Sequence, residues 1–370
     1  MNTFSDTLTF YDLQKLPRLI LSEIIETCGY NPKDYTKDSM IDTIWGEVQN
    51  RDNDKRELFE PYELSLFSNR CSMTWFRAAT LRGLKQLIVE QNGEQVIDGQ
   101  LEIGEEQIVP APKLFSIADC PENIGDNCFI ARFLYQDGYY YIPTIEGNQR
   151  LKKVRTLTAL IDETHGIIEV RGSKTLSEKV VQVLAAYFDD NPQIQQFAIL
   201  GNHESNSDQL AATLDGQLIE SIGEPNLPLE DLNEEQVEAV VSILNVVDKG
   251  LVGKEEIQLD YSGVIQESRD VLFTDSDPVP FLALVLAGLN KVSLSTLYSS
   301  LISSPLYQSL TPHLIDNGGY IRFNSDFLGL IVENTIQVAR IANSIVLKSN
   351  SNEYAIKKIR EAVFLIEVVD

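Results

Sequence analysis

Cysteine is scarce in this 370-residue chain: Cys28, Cys71, Cys120 and Cys128 are all there is, and no two form a CxxC pair. That argues against a disulfide framework or a thiolate zinc site, and a reducing cytoplasmic setting is the expectation. Histidine is scarcer still, with only His165, His203 and His313. No apolar run reaches the roughly 18 residues of a membrane span. The longest candidate, 278–289, falls short, so no membrane contact is expected. Residues 1–12 lack a basic stretch followed by an apolar core, so no signal peptide is expected. No dinucleotide-binding or phosphate-binding glycine motif occurs, and no Gly-x-Ser-x-Gly elbow. These absences lead to an expectation of no catalytic residue, no metal ligand and no cofactor.

What is present is negative charge. The chain carries 55 acidic and 30 basic residues, a net of −25. The distribution is uneven. Residues 191–280 hold 18 acidic and 3 basic residues, whereas residues 281–370 hold 7 of each. Residues 150–179 hold 7 basic against 4 acidic. A field of this sign repels nucleic acid unless a local basic surface overcomes it. The hydrophobic share of 43% is that of a globular protein long enough to bury a sizeable core.

The organising stretch is 128–188. Phe129-Ile130-Ala131-Arg132-Phe133-Leu134-Tyr135 reads as a strand. Gln136-Asp137-Gly138 follows as a hairpin turn, because Asp-Gly accommodates positive φ. Residues 139–142 then read as the return strand. A second hairpin joins 154–161 to 166–171 through Asp162-Glu163-Thr164-His165. Ser173 is placed to cap a helix in which Leu176, Val180, Val183 and Leu184 recur at helical spacing. The fold class is therefore α+β and multi-domain, with a central antiparallel sheet and packed helices. The expected domains are a helical module at 1–70, a central α+β domain at 71–190, an acidic helical and loop segment at 191–278 and a C-terminal domain at 279–370.

In the first module, Leu13, Leu16, Ile20, Ile24 and Ile25 predict one helix, with Pro17 in its first turn. Met40, Ile41, Ile44, Trp45 and Val48 predict a second, and Gly29-Tyr30-Asn31-Pro32 separates them. This run, with Thr36-Lys37-Asp38-Ser39 leading into the second helix, resembles the SAP-like helix–extended loop–helix motif. The resemblance implies DNA contact through Lys33 and Lys37. Farther on, Trp75, Phe76, Leu81, Leu84 and Leu87 predict a helix over 73–89. In the acidic segment, Val237, Val240, Val241, Leu244 and Val247 predict a helix over 233–247.

Helices over 281–289, 293–302 and 305–315, then Gly318-Gly319 and the strand Tyr320-Ile321-Arg322-Phe323, resemble a winged-helix module. Its third helix holds no Lys or Arg and contains Pro312, so the resemblance implies protein contact more than base reading. Residues 353–369 predict a terminal helix or helix–strand pair, with Lys357, Lys358 and Arg360 exposed.

The block Ile199-Leu200-Gly201-Asn202-His203-Glu204 resembles the Gly-Asn-His-Glu block of calcineurin-like metallophosphoesterases, whose two-metal centre activates water. The accompanying blocks are missing. Asp162-Glu163-Thr164-His165 has the wrong spacing, and Phe129 stands where a second Asp would follow Gly125-Asp126. The best candidate surface is instead the basic cluster Arg150, Lys152, Lys153, Arg155, Arg171 and Lys174, which an antiparallel hairpin brings to one end. Tyr139, Tyr140 and Tyr141 precede it and add stacking surface. The competing reading is a sheet edge that uses charge to prevent aggregation. The expected function is a non-catalytic binding or adaptor protein contacting nucleic acid or a protein partner through this surface. The alternatives are an acidic inhibitor that mimics nucleic acid through 191–280, and an enzyme of unrecognised type.

Overall fold

The structure, a computed structural model, describes residues 3–50, 54–98, 101–125, 127–145, 147–190, 192–199, 206–225, 292–296, 300–304, 307–308, 311, 314–327, 330–340 and 342–367. Packing divides the chain into two units. The first is Met1–Leu200, Thr213–Gly216 and Arg322–Asp370; the second is Gly201–Ala212 and Gln217–Ile321.

The first unit begins with α1 (Phe10–Leu13), α2 (Arg18–Thr27), α3 (Lys37–Asn50) and α4 (Asp54–Phe59). The two helices predicted over this region are α2 and α3. Pro17 caps α2, with a φ of −58° that already suits a helical start. Gly29 ends the turn after it at φ +90°. The strand β1 (Ser72–Ala78) and the helices α5 (Leu84–Asn92) and α6 (Gln95–Asp98) come next. Here the predicted helix over 73–89 is corrected: its first half is a strand, and Gly83 at φ +82° separates the strand from α5. Trp75 and Phe76 are adjacent and both buried. A strand covered on both faces shows no period of two, so its apolar run imitates a helix.

The central strands are β2 (Lys113–Asp119), β3 (Cys128–Thr144), β4 (Gly147–Asp162) and β5 (Ile167–Arg171), followed by α7 (Lys174–Ala185) and β6 (Ile194–Gln196). Beyond them lie α8 (Asn206–Thr213), β7 (Gln217–Pro225), β8 (Val292–Ser295), β9 (Leu314–Phe327), β10 (Leu330–Ala339), β11 (Ser344–Leu347) and α9 (Glu353–Glu367). Within the first unit the strand order is β2-β3-β4-β5-β1-β11-β10-β9, and β6 pairs with β1 beside β11. The predicted hairpin β4–β5 is present, with Thr158 opposite Arg171.

Helices cover both faces of this sheet. Phe129, Ala131, Phe133, Leu157, Ala159, Ile161, Ile168 and Val170 pack with Leu84 and Ile88 of α5 and Val180 and Leu184 of α7. Ile130 and Leu160 point the other way, into a core with Leu13, Leu21, Ile24, Ile25, Met40, Ile41 and Ile44. The mixed α+β class with an antiparallel sheet is thus what the chain forms. Burying these side chains supplies the main driving force, about 25 cal/mol per Å² of apolar surface.

Two arginines are buried in that second face. Arg132 of β3 lies opposite Thr158 of β4, which lies opposite Arg171 of β5. Arg132 is ion-paired at 2.6 Å with Asp12 of α1, and both side chains are essentially inaccessible. Arg171 donates two hydrogen bonds to the Glu353 carboxylate of α9, at 2.5 and 2.6 Å, and two to Glu169. Glu169 also accepts from Arg360 at 2.8 Å and from the Trp75 indole at 3.1 Å. Phe67 joins the two sites: the Arg132 guanidinium lies 3.8 Å from its ring centroid, and its carbonyl accepts from Arg171. Arg360, expected exposed, is therefore buried, because Glu169 needs a second cation.

In the second unit β8 pairs antiparallel with β7, and β7 neighbours the first half of β9. Asp316 accepts from the Ser207 backbone at 3.1 Å, and Tyr307 donates to Asp208 at 2.6 Å. The helix predicted over 293–302 is not formed at its start, where Val292–Ser295 is a strand. Leu314 and Ile315 likewise belong to β9, not to a helix. Gly318 and Gly319 lie inside that strand. A Cβ on Gly319 would sit 2.0 Å from the Glu220 carbonyl oxygen, so glycine is there for close backbone approach. The predicted helices over 233–247 and 281–289 lie outside the described residues. So does the Gly201-Asn202-His203-Glu204 block. The terminal helix is present as α9.

Removing one partner of a buried ion pair strands the other charge, at a cost of about 3–5 kcal/mol. Glu353→Ala is expected to destabilise the first unit by about that much in urea denaturation. Adding Arg171→Met should cost less than the sum of the two single changes, because no charge is then stranded.

Burial pushes the Asp12 carboxyl up, but the adjacent Arg132 guanidinium prevails and holds it at about 2. An unfolded aspartate titrates near ~3.9. The ionised form is thus favoured in the fold, and its stabilising contribution is complete above the unfolded value. It is lost as pH falls through about 2. Stability measured between pH 4 and 2 should drop by roughly 2 kcal/mol from this group. Asp12→Asn should lack that component and be less stable at neutral pH.

Candidate functional site

The expected turn at Gln136-Asp137-Gly138 is not a turn. β3 runs through it to Thr144, and the chain reverses between Thr144 and Gly147. Gln136 lies opposite Val154 and Tyr139 opposite Lys152, so Asp137 and Gly138 together face the single residue Lys153. This is a β-bulge, and Gly138 at φ +86° occupies its left-handed position. Asp-Gly met the requirement for positive φ without reversing the chain. At the actual reversal the Thr144 hydroxyl donates to the Gly147 carbonyl at 2.6 Å.

The consequence is an arm. β2 pairs with β3 only over 113–134, and β5 pairs with β4 only from Thr158 onward. Among the described residues, the strands beyond Gln136 and Val154 pair only with each other. The base of the arm is tied down. Gln136 donates its backbone N–H to Val109 O at 2.9 Å, and Lys152 Nζ donates to Glu105 O and Ile108 O. Lys153 and Arg155 both pair with Asp137 at 2.8 Å.

The outer part of the arm is not lined by charge alone. Tyr139, Tyr140, Tyr141, Ile142 and Leu151 are all exposed, and Ile145 at the tip is completely so. Tyr141 is the most exposed of these three tyrosines, at 62%. The Arg150 guanidinium lies 3.3 Å from the Tyr139 ring centroid, and Lys153 Nζ lies 5.8 Å from that of Tyr140. A shallow concavity at the tip is lined by Thr144, Ile145, Gly147, Asn148 and Gln149.

Of the basic residues singled out in the sequence, Arg150, Lys152 and Lys153 belong to this arm, and Arg155 lies at its base opposite Tyr135. Lys174 is exposed at the start of α7. Arg171 is a correction: it is buried and held by Glu353 and Glu169, so it is not part of any surface. Its position at a strand end resembled an edge, but α9 covers that end. Replacing Arg171 would therefore disturb the core and not a binding surface. Lys33 is exposed in the turn before α3, and Lys37 donates to Gln14 O at 2.9 Å. The exposed aliphatics Ile142, Ile145 and Leu151, and the clamp made by Asp137, were not singled out from sequence. The available signal was an apolar and aromatic run, 139–142, continuing past a presumed turn.

Among the described residues, His165 and Cys128 are held in structural roles. His165 Nδ1 is 2.7 Å from Asp162 Oδ2, and the same carboxylate accepts from the backbone of Thr164 and His165, so this histidine finishes a turn. The Cys128 thiol is pushed up to about 12, first by burial and then by Asp162, which keeps it protonated and unreactive. Among the described residues no cluster of His, Cys, Asp and Glu could hold a metal ion, and no helix is long and apolar enough to cross a membrane. No protein-family model matches the chain, and no curated protein matches its sequence.

Asp137→Ala tests the clamp. Exposed ion pairs contribute little, so the variant should lose under about 1 kcal/mol in thermal or chemical denaturation. A larger loss would show that the two pairs shape the bulge itself.

Proposed function

We propose that this chain is a non-catalytic binding or adaptor protein whose contact element is the β3–β4 arm, meeting a nucleic acid or a protein partner. The observation that carries this reading is the exposure of Tyr139, Tyr140, Tyr141, Ile142, Ile145 and Leu151 on one slender ribbon. Soluble proteins seldom leave such a concentration of large apolar side chains uncovered unless something binds there. The edge-protection reading accounts for the lysines and arginines but not for these residues. A protective edge carries charge and avoids exposed aromatics. The base of the arm is anchored through Lys152 and the Gln136 backbone, so the ribbon is presented in a defined direction. That lowers the ordering cost of binding.

Excision tests the proposal. Replacing residues 137–153 by Asn-Gly would close the Gln136–Val154 pair with a two-residue hairpin turn. The variant is expected to fold with an unchanged melting transition. Proteins and nucleic acid retained by the wild type from native lysate should be absent from it. An unchanged retained set, measured by mass spectrometry and absorbance, would overturn the arm as the contact element.

A further inference from the structure

We infer that one face of the arm is a stacking platform for single-stranded nucleic acid, an assignment that rests on the arm being the contact element. The register separates the two faces. Tyr139 pairs with Lys152 and Tyr141 with Arg150, while Tyr140 pairs with Leu151 and Ile142 with Gln149. Cross-strand partners share a face and successive residues alternate. One face therefore carries Tyr139, Tyr141, Arg150 and Lys152, and the other carries Tyr140, Ile142, Gln149 and Leu151.

The cations on the two faces are not equivalent. Lys153 and Arg155 share the single carboxylate of Asp137, which offsets one of their two charges. Among the described residues, Lys152 Nζ is held by backbone carbonyls, which leave its charge intact. The Arg150 guanidinium lies over the Tyr139 ring, and among the described residues no carboxylate pairs with it. A guanidinium held this way keeps its N–H edge available for a phosphate. Tyr141, directly across from Arg150, is open for a base to stack on. Aromatic rings beside un-neutralised cations are the recurring elements of single-strand binding.

The charge of the chain selects against a duplex. Binding a duplex draws on many phosphate contacts at once, and two cations cannot offset a net charge of −25. Stacking depends much less on net charge, but it needs bases that are not already paired. The opposite face, with Tyr140, Ile142 and Leu151, suits a protein, and that is the rival outcome.

The test uses the full chain and fluorescein-labelled mixed-sequence oligonucleotides, single-stranded and duplex, followed by anisotropy over a salt series. The wild type is expected to bind the single strand more tightly than the duplex. Tyr141→Ala and Arg150→Ala should each weaken binding roughly ten-fold. Tyr141→Phe should restore it. Arg150→Ala should also flatten the salt slope by about one, whereas Tyr141→Ala should leave the slope unchanged. Ile142→Ser with Leu151→Ser, on the other face, should bind like the wild type. The inference is overturned if the wild type binds no single strand at low salt. It is equally overturned if the opposite-face pair weakens binding as much as Tyr141→Ala does. If arm excision still strips a protein partner after such a result, the arm remains the contact element and its ligand is a protein. If excision strips nothing, both readings fall.

Discussion

The first unit depends on neutralising two arginines that lie in one row across its sheet. Arg132 and Arg171 flank Thr158 on adjacent strands, and both point into a covered face. A buried guanidinium without a carboxylate would be expensive. Each is matched by an acid from an opposite end of the chain: Asp12 from α1 and Glu353 from α9. Helices more than 300 residues apart in sequence thereby dock on the same sheet face. Phe67 reinforces this by offering its ring to one arginine and its carbonyl to the other.

That arrangement also explains where the exposed surface lies. With helices on both faces, β3 and β4 are covered as far as Gln136 and Val154, and their remaining lengths extend past the layers. The bulge at Asp137-Gly138 marks this transition. It inserts one residue, shifts the alternation, and so decides which tyrosines share a face with Arg150 and Lys152. The same Asp137 offsets one of the two charges carried by Lys153 and Arg155. The chemistry of the arm is set by these local details more than by its count of basic residues.

Several features were legible from sequence because their causes are local. Pro17 and Gly29 bound α2, and the apolar spacing of 40–48 marks α3. The β4–β5 hairpin and the helix after Ser173 follow from alternation, a polar turn and a change of period. Other features misled for equally physical reasons. β1 is apolar on both faces, so it carried no strand period. Asp-Gly reports a need for positive φ, which a bulge satisfies as well as a turn. Gly318-Gly319 precedes the predicted strand in sequence, yet both lie inside β9, and the missing side chain of Gly319 makes room for the backbone of β7.

By itself, the sequence determined the α+β class, the antiparallel hairpin core, the helical N-terminal region, and the clustering of tyrosines and basic residues between 139 and 155. All of these rest on short-range patterning, which the backbone reads within a few residues. Only the tertiary structure decided which charged side chains are buried. Arg155 and Arg171 look alike in sequence, yet one is exposed at the base of the arm and the other is sealed beneath α9. The difference comes from Glu353, a residue 182 positions away from Arg171. Burial of a charge depends on whether a partner arrives from elsewhere in the chain, and no local pattern encodes that arrival.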